Sequence, residues 1–289
     1  MTAAPARWHT AAAIGRRAGQ RLSLRASRAV PAAAGSRLGT NLGDSVEFVD
    51  HRPYEAGDDL RRIDWSVFGR TDELMVRRYR AETTPRVEIM LDPSRSMDRP
   101  SVKGDCALAI AAAIGEAATR DGLRPVLFAA SDRLTPVPEP GTADAWRGYD
   151  GNAARVPSVA SPIAGRPSAR LLITDLMFTA SPRALLPKLA GVGGSVAIVC
   201  VLARAERDPR QLIGHRLRDA ETGGISAAEI DDRAAAEYQE RLERHLAAWA
   251  DAARGLGVAF ADVIAEDALA DEAFDPRHLL RAGVLAVRP

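Results

Sequence analysis

Short apolar runs alternate with amphipathic stretches from about residue 86 onward. Each run stops at polar or turn-forming residues, which predicts buried strands over residues 87–91, 124–130, 171–174, 195–202 and 258–263. Between the runs, spacings of three and four predict helices over residues 101–120, 182–189 and 226–255. This alternation is typical of an α/β protein with a mostly parallel sheet and helices on both faces.

Capping chemistry gives two of the predicted helix starts. Ser101 is expected to cap the first helix. Ser226 and Glu229 have capping-box spacing and are expected to open the last helix. Its apolar stripe comprises Ile230, Ala234, Tyr238, Leu242, Leu246, Trp249 and Ala253.

The chain is divided by changes in charge and pattern. We expect a basic, flexible tail over residues 1–43, a charged and aromatic segment over 44–84, the α/β domain over 85–265 and a C-terminal segment over 266–289. Within the second segment, residues 74–80 are predicted as an edge strand that leads into the sheet.

Charge and cysteine content exclude several classes of protein. The net charge of +1 argues against a dedicated polyanion binder, although residues 1–43 carry seven Arg and no acid. Nucleic-acid or acidic-surface binding through this tail stays an alternative. Two cysteines outside any CxxC pair exclude a disulfide scaffold and predict a reducing, cytoplasmic location. No apolar stretch is long enough to predict a membrane span.

Candidate chemistry lies where the first predicted strand ends. Asp92, Ser94 and Ser96 follow this strand on one loop, and Asp175 follows another strand. Because the carboxyl ends of parallel strands form the ligand crevice of an open sheet, these side chains are expected to meet. Carboxylate and hydroxyl oxygens are hard ligands, so the pattern predicts a site for Mg²⁺ or Mn²⁺.

Two resemblances extend this interpretation. DPSRSM resembles the metal-ion-dependent adhesion site, DxSxS, of von Willebrand factor A domains, and LLITD resembles their later metal-binding strand. Residues 47–82 resemble the bacterial family called domain of unknown function 58, whose RxYxxGDDxRxIDW block is matched by Arg52, Tyr54, Gly57, Asp58, Asp59, Arg61, Asp64 and Trp65. LRDAETGG at residues 217–224 is also similar to that family.

The resemblance implies a von Willebrand factor A-like domain that binds proteins and is not an enzyme. Its metal would be held by Asp92, Ser94, Ser96 and Asp175, with an open position for a partner's carboxylate. The fold normally adds a threonine from a loop between the two metal-binding strands, and here Thr142, Ser158 and Ser161 are the candidates. Members of the family are associated with MoxR-type AAA+ ATPases, which implies a role in the assembly or remodelling of protein complexes.

The GDDLRRIDW stretch allows a structural and a functional interpretation. Asp58 and Asp59 are able to cap a short helix, and Asp64 is able to pair with Arg61 or Arg62. We expect the stretch to clamp its segment against the sheet, with a partner-contact surface as the alternative.

Two enzymatic alternatives fit the sequence less well. A GDS-type esterase would use Ser45 as nucleophile with His278 and Asp275 as base and orienting acid, but the residues before Ser45 are loop-like. A haloacid-dehalogenase-like phosphatase needs a second carboxylate two residues after the first, where this chain has Ser94.

Overall fold

The computed structural model of the protein describes residues 6–25, 47–80, 85–137, 157–163, 165–191, 194–220 and 223–289. The chain divides into two compact units. The larger unit comprises Met1–Ala29 and Pro85–Pro289, and the smaller unit comprises Val30–Thr84.

The described ranges contain α-helices, β-strands and three short 3-10 helices. The helices are α1 (Ala6–Gly19), α2 (Trp65–Thr71), α3 (Ser101–Arg120), α4 (Pro182–Ala190), α5 (Arg204–Arg207), α6 (Asp232–Gly255), α7 (Ala265–Ala268) and α8 (Arg277–Arg281). The strands are β1 (Leu22–Leu24), β2 (Glu47–Pro53), β3 (Met75–Arg80), β4 (Arg86–Leu91), β5 (Arg124–Ala130), β6 (Leu134–Val137), β7 (Ala169–Thr174), β8 (Ser195–Leu202), β9 (Arg216–Arg218), β10 (Ile225–Glu229), β11 (Ala259–Ile264), β12 (Leu269–Ala270), β13 (Ala273–Phe274) and β14 (Leu285–Val287). Short 3-10 helices cover Leu60–Arg62, Arg95–Asp98 and Pro209–Leu212.

A six-stranded sheet forms the centre of the larger unit. Its strand order is β11-β8-β7-β4-β5-β6, and every pair is parallel except β5 with β6. The mostly parallel sheet predicted from the sequence is confirmed, whereas β6 has no counterpart among the predicted strands. The order of the connections reverses between β4 and β7, and ligands of open sheets bind at such a reversal.

Alternate residues of the strands face opposite sides of this sheet. Val87, Ile89 and Leu91 of β4 belong to the apolar cluster that contains the buried face of α3. Met90 and its neighbours on β7 and β8 belong to a second cluster, with side chains of α4 and α6. Helices therefore cover both faces, as predicted, because each face of a central parallel sheet is apolar.

The N-terminal segment contains packed structure, which corrects part of the expectation of a flexible tail over residues 1–43. Helix α1 buries Trp8, Ala11, Ala12 and Ile14, and these side chains join the core. It lies very close to α3: a Cβ atom added at Gly15 would be 2.0 Å from the Ala109 carbonyl oxygen. The Arg residues of this segment suggested a solvated tail, but α1 also has an apolar face with small residues, and this face is buried.

Strand β1 pairs with β14 antiparallel, with Leu22 opposite Val287 and Leu24 opposite Leu285. Arg288 strengthens this junction, because one guanidinium nitrogen lies 2.9 Å from an Asp121 carboxylate oxygen. The predicted C-terminal segment over residues 266–289 is thus part of the larger unit.

Both predicted capping residues are wrong in detail. Ser101 is the first residue of α3, whose N-cap position is held by Pro100 without a side-chain hydrogen bond. Ser226 and Glu229 lie in β10, which pairs with β9. Helix α6 begins six residues later than predicted, where the Asp231 carboxylate accepts from the Ala234 amide at 2.7 Å. Of the predicted stripe, Leu242, Leu246, Trp249 and Ala253 are buried, while Ala234 and Tyr238 are exposed.

In the smaller unit, β2 and β3 form an antiparallel pair of their own. The strand predicted over residues 74–80 therefore exists, but it is not a member of the six-stranded sheet. The backbone groups of β3 pair with those of β2, and both strands belong to the charged and aromatic segment over residues 44–84.

Replacement of Gly15 by Ala tests the close contact between α1 and α3. The new methyl group has no room beside Ala109, so we expect the free energy of unfolding to fall by about 1–3 kcal/mol, although alanine is the better helix former. Urea denaturation measures the change. Gly255→Ala at the end of α6 is the control, since its new Cβ meets nothing within 4 Å. Equal stability of Gly15→Ala and wild type would contradict the packing described here.

Candidate metal centre

Asp92 and the end of β7 lie side by side at the carboxyl edge of the sheet. The Asp92 amide donates to the Ile173 carbonyl at 2.9 Å, which continues the parallel ladder by one residue beyond β4. The Thr174 hydroxyl donates to Asp92 Oδ2 at 2.7 Å. Asp92 is 6% exposed and Asp175 is 1% exposed, so the edge buries both carboxylates.

The loop after β4 turns back on the Asp92 carboxylate. Asp92 Oδ1 accepts from the Ser94 amide at 3.0 Å, and the Ser94 and Ser96 hydroxyl oxygens lie 3.1 Å apart. Met97 is completely buried and anchors the 3-10 helix that follows. The loop therefore holds one carboxylate and two hydroxyls together, as the DxSxS spacing predicts.

The residue after Asp175 has an unusual backbone conformation. Leu176 has φ of 61°, in the left-handed region that favours glycine, and its side chain is fully buried. Two hydrogen bonds hold this turn: the Leu176 amide donates to Thr174 Oγ1 at 3.1 Å, and the Met177 amide donates to Asp175 Oδ1 at 3.0 Å. The turn fixes the direction of the Asp175 carboxylate.

An ammonium group, which the sequence analysis missed, occupies the other side of Asp175. Lys103 is fully buried, and its Nζ lies 3.0 Å from Asp175 Oδ2. The same Nζ lies 2.7 Å from Glu206 Oε1 and 3.0 Å from Oε2. A signal did exist in the sequence, because Lys103 is one of only two lysines in a chain rich in arginine and follows the DxSxS loop closely.

Glu206 lies in α5, the short helix that follows β8, and β8 is the strand next to β7. Its Oε2 also accepts from the Ala203 amide at 2.8 Å, which closes the first turn of α5. Burial raises the pKa of Glu206, and the ammonium of Lys103 partly offsets that rise. Three neighbouring strands thus each deliver a carboxylate to this edge.

Negative charge exceeds positive charge in this cluster. In the part of the chain that the structure describes, Asp92, Asp175 and Glu206 contribute three carboxylates to it, and Lys103 contributes one ammonium, which pairs with Asp175 and Glu206. Burial, followed by the charge of Asp175, raises the pKa of Asp92 from 3.8 to about 6. Burial alone would lower the pKa of Lys103, but Asp175 and Glu206 more than offset this and raise it, which keeps the ammonium charged.

The donor set fits a hard divalent cation on the Asp92 side of the cluster. Within the described ranges, no group of three or more His, Cys, Asp or Glu side chains is arranged to hold a metal ion. A site here would rest on the Asp92 carboxylate and on the Ser94 and Ser96 hydroxyls, oxygens that suit Mg²⁺ or Mn²⁺. Direct coordination by Asp175, as predicted, would compete with its bond to Lys103.

The candidates for a further ligand lie in different places. Thr142 is outside the described residues. The Ser161 hydroxyl donates to Glu88 Oε1 at 2.6 Å, and Glu88 precedes Asp92 by four strand positions, about 13 Å along the sheet. The Ser158 amide donates to the carbonyl of Ser131, which follows β5 at the carboxyl edge. Of the two described candidates, Ser158 is therefore on the edge that carries Asp92.

Helix α1 is tied to the loop of the candidate site through Arg7. One guanidinium nitrogen lies 2.6 Å from Asp98 Oδ1, at the end of the 3-10 helix, and the other lies 2.6 Å from Asp105 Oδ1 in α3. At least this arginine of the basic segment is bound within the larger unit, where it fixes the DxSxS loop against two helices.

The residues of the RxYxxGDDxRxIDW block bond mainly to one another in the smaller unit. Arg52 pairs with Asp58, and this hydrogen bond lowers the pKa of Asp58. Asp59 accepts from the Arg61 amide at 3.0 Å and caps the first 3-10 helix. These bonds agree with a structural role inside the unit.

Asp64 bonds to His51 and to two backbone amides; its predicted pair with Arg61 or Arg62 stays a prediction, because the Arg62 side chain lies outside the described part of the chain. Asp64 caps α2 by accepting from the Ser66 and Val67 amides, and its Oδ2 lies 2.8 Å from His51 Nε2. Two further residues of the block also have structural roles. Gly57 has φ of 112°, which only glycine adopts without strain. The Tyr54 amide donates to the Leu74 carbonyl. Trp65 is 62% exposed, so the partner-contact alternative retains an apolar side chain.

The residues of the esterase alternative are not brought together in the described part of the chain. Ser45 lies outside it. The Asp275 carboxylate is bound by the Nε and the backbone amide of Arg277, and these take the place of the predicted hydrogen bond to His278. No helix among the described residues is sufficiently long and apolar to cross a membrane.

Comparison with known proteins gives partial matches. A family model described as a protein of unknown function, DUF58, matches residues 50–147. Uncharacterized proteins of Mycobacterium bovis and Mycobacterium tuberculosis are 39% identical over 83 residues, which is 28% of this chain and 26% of each relative. The match thus spans about a quarter of the length of these curated relatives. No solved structure matches the chain.

Asp92→Asn tests the excess negative charge of the cluster. Folding raises the pKa of Asp92, so the folded wild type binds more protons between pH 3.8 and about 6, and its stability falls as the pH rises through this window. In EDTA at pH 7.5 the variant is therefore expected to be more stable than wild type, by up to about 3 kcal/mol. The gain should disappear near pH 4. Urea denaturation at both pH values checks this.

Asp251→Asn is the matched control, since Asp251 is an exposed acid of α6. It should change stability little at either pH. A variant Asp92→Asn that is less stable than wild type at pH 7.5 would show that the Asp92 charge is already compensated.

Proposed function

We propose that this protein is a non-enzymatic module that binds a protein partner through a divalent cation. The observation that carries the proposal is the cluster of Asp92, Ser94 and Ser96 oxygens at the reversal point of the sheet, beside negative charge that Lys103 only partly neutralises. A sheet with this strand order and one antiparallel edge strand supports the von Willebrand factor A-like assignment, which forms part of the proposal.

The residues have distinct tasks in this proposal. The Asp92 carboxylate and the hydroxyls of Ser94 and Ser96 would hold Mg²⁺ or Mn²⁺, and the bound ion would accept a carboxylate from the partner. Thr174 and the Ser94 amide orient Asp92 by their hydrogen bonds. Met97 and Arg7 hold the loop in place, so that few conformations are lost on binding.

The partner class is proposed from the resemblance and not from geometry. The matched residues 50–147 contain both the RxYxxGDDxRxIDW block and the DxSxS loop, the two features on which the resemblance depends. We therefore propose a MoxR-type AAA+ ATPase as partner, with a role in the assembly or remodelling of protein complexes in the cytoplasm.

A pull-down with Mg²⁺ or EDTA tests this function. Wild type is expected to retain an AAA+ ATPase in Mg²⁺ and to lose it in EDTA, and Asp92→Ala is expected to retain none in either buffer. Asp251→Ala, which removes an exposed acid on α6, should behave as wild type.

A thermal melt separates loss of binding from loss of folding. Saturating Mg²⁺ should stabilise wild type, by about 2.7 kcal/mol at one hundred times the Kd, and should leave Asp92→Ala unchanged. Retention of the ATPase in EDTA would exclude the cation-dependent mode of binding.

A further inference from the structure

Lys103 occupies an unusual position for a lysine. It lies in the first turn of α3, where the helix dipole disfavours a positive charge. It is fully buried, and desolvation of a buried ion pair can cost as much as its attraction returns.

Lys103 forms a buried ion pair with Asp175. Its Nζ binds Asp175 Oδ2, while the Met177 amide binds Oδ1, so both oxygens of this carboxylate have a donor from the protein. Glu206 holds the ammonium from the far side, at 2.7 and 3.0 Å. Asp92, in contrast, accepts from neutral donors among the described residues, namely Thr174 and Ser94.

We propose that Lys103 is a tethered cation that withholds Asp175 from the metal and so lowers the metal affinity of the site. The inference rests on the proposed function and deepens it. A cation held by Asp92, Ser94 and Ser96 alone has one charged ligand from this chain. Its occupancy then depends on a second carboxylate, which the partner supplies, and this couples metal binding to partner binding.

The charge of the cluster allows the effect of Asp175 to be separated from that of net charge. Lys103→Met alone makes the cluster more negative and would strengthen cation binding for that reason only. Glu206→Gln alone makes it less negative and keeps the bond between Lys103 and Asp175. The double variant Lys103→Met/Glu206→Gln has the same net charge as wild type but releases Asp175.

The experiment is a titration of each purified full-length variant with Mn²⁺ alone, with free Mn²⁺ measured by electron paramagnetic resonance. The double variant is expected to bind at least about tenfold more tightly than wild type, since a second carboxylate becomes a ligand. Glu206→Gln should bind no more tightly than wild type. Addition of Asp175→Asn to the double variant should remove the gain.

Failure of the inference and failure of the proposed function give different results. If wild type binds Mn²⁺ and the double variant binds no more tightly, Lys103 does not withhold Asp175 and the inference is overturned. If only the double variant binds, the inference holds, because the wild-type site then needs the partner's carboxylate, and the pull-down in Mg²⁺ and EDTA decides the proposed function separately. If neither binds, both proposals fall.

Folding of each variant is checked by circular dichroism. Should the double variant not fold, Lys103→Leu/Glu206→Gln replaces it, because leucine is also apolar and leaves Asp175 Oδ2 without this donor. Its affinity must also exceed that of wild type for the inference to stand.

Discussion

Burial of several carboxylates at one edge of the sheet is the constraint on which the larger unit depends. Strands β4, β7 and β8 each end in a chain segment that carries an acid, and the reversal of strand order brings these ends together. Such a cluster folds only where positive charge and donors are supplied from within. Lys103 from α3, the Thr174 hydroxyl and the amides of the turns supply them. Three features of the fold thus contribute to the compensation of the buried carboxylates: the location of α3, the cap of α5 and the turn at Leu176.

The sequence was sufficient for the parallel strands of the sheet and for the DxSxS loop, because both are local in origin, whereas the edge strand β6 was not predicted. Buried parallel strands are uninterrupted apolar runs, and a loop of Asp92, Ser94 and Ser96 reads directly from its spacing. Lys103 and Glu206 were missed because their role arises only when distant segments meet. The helix start predicted at Ser226 is wrong for another reason: Ser226 and Glu229 have capping-box spacing, but they lie in β10, which pairs with β9. Asp231 instead caps α6.

The N-terminal helix shows how composition can conceal packing. Its arginines indicated a solvated tail, yet Gly15 and Gly19 lie against Ala109 and Ala113 at distances that exclude any Cβ atom. Glycine is a poor helix former, so the packing role of this face can be recognised only once α3 is known to lie against it. Together with Arg7 it makes α1 a support for the DxSxS loop, since the same helix contacts α3 through its small residues and binds Asp98 through its charge.

The pairing of β1 with β14 has a consequence for the order in which the chain becomes structured. Residues 22–24 pair with residues 285–287, although most of the described chain lies between them. The smaller unit, Val30–Thr84, is inserted in the same interval. The larger unit is therefore discontinuous in sequence. Contacts of such long range are slow to close, so β1 is expected to pair with β14 late in folding.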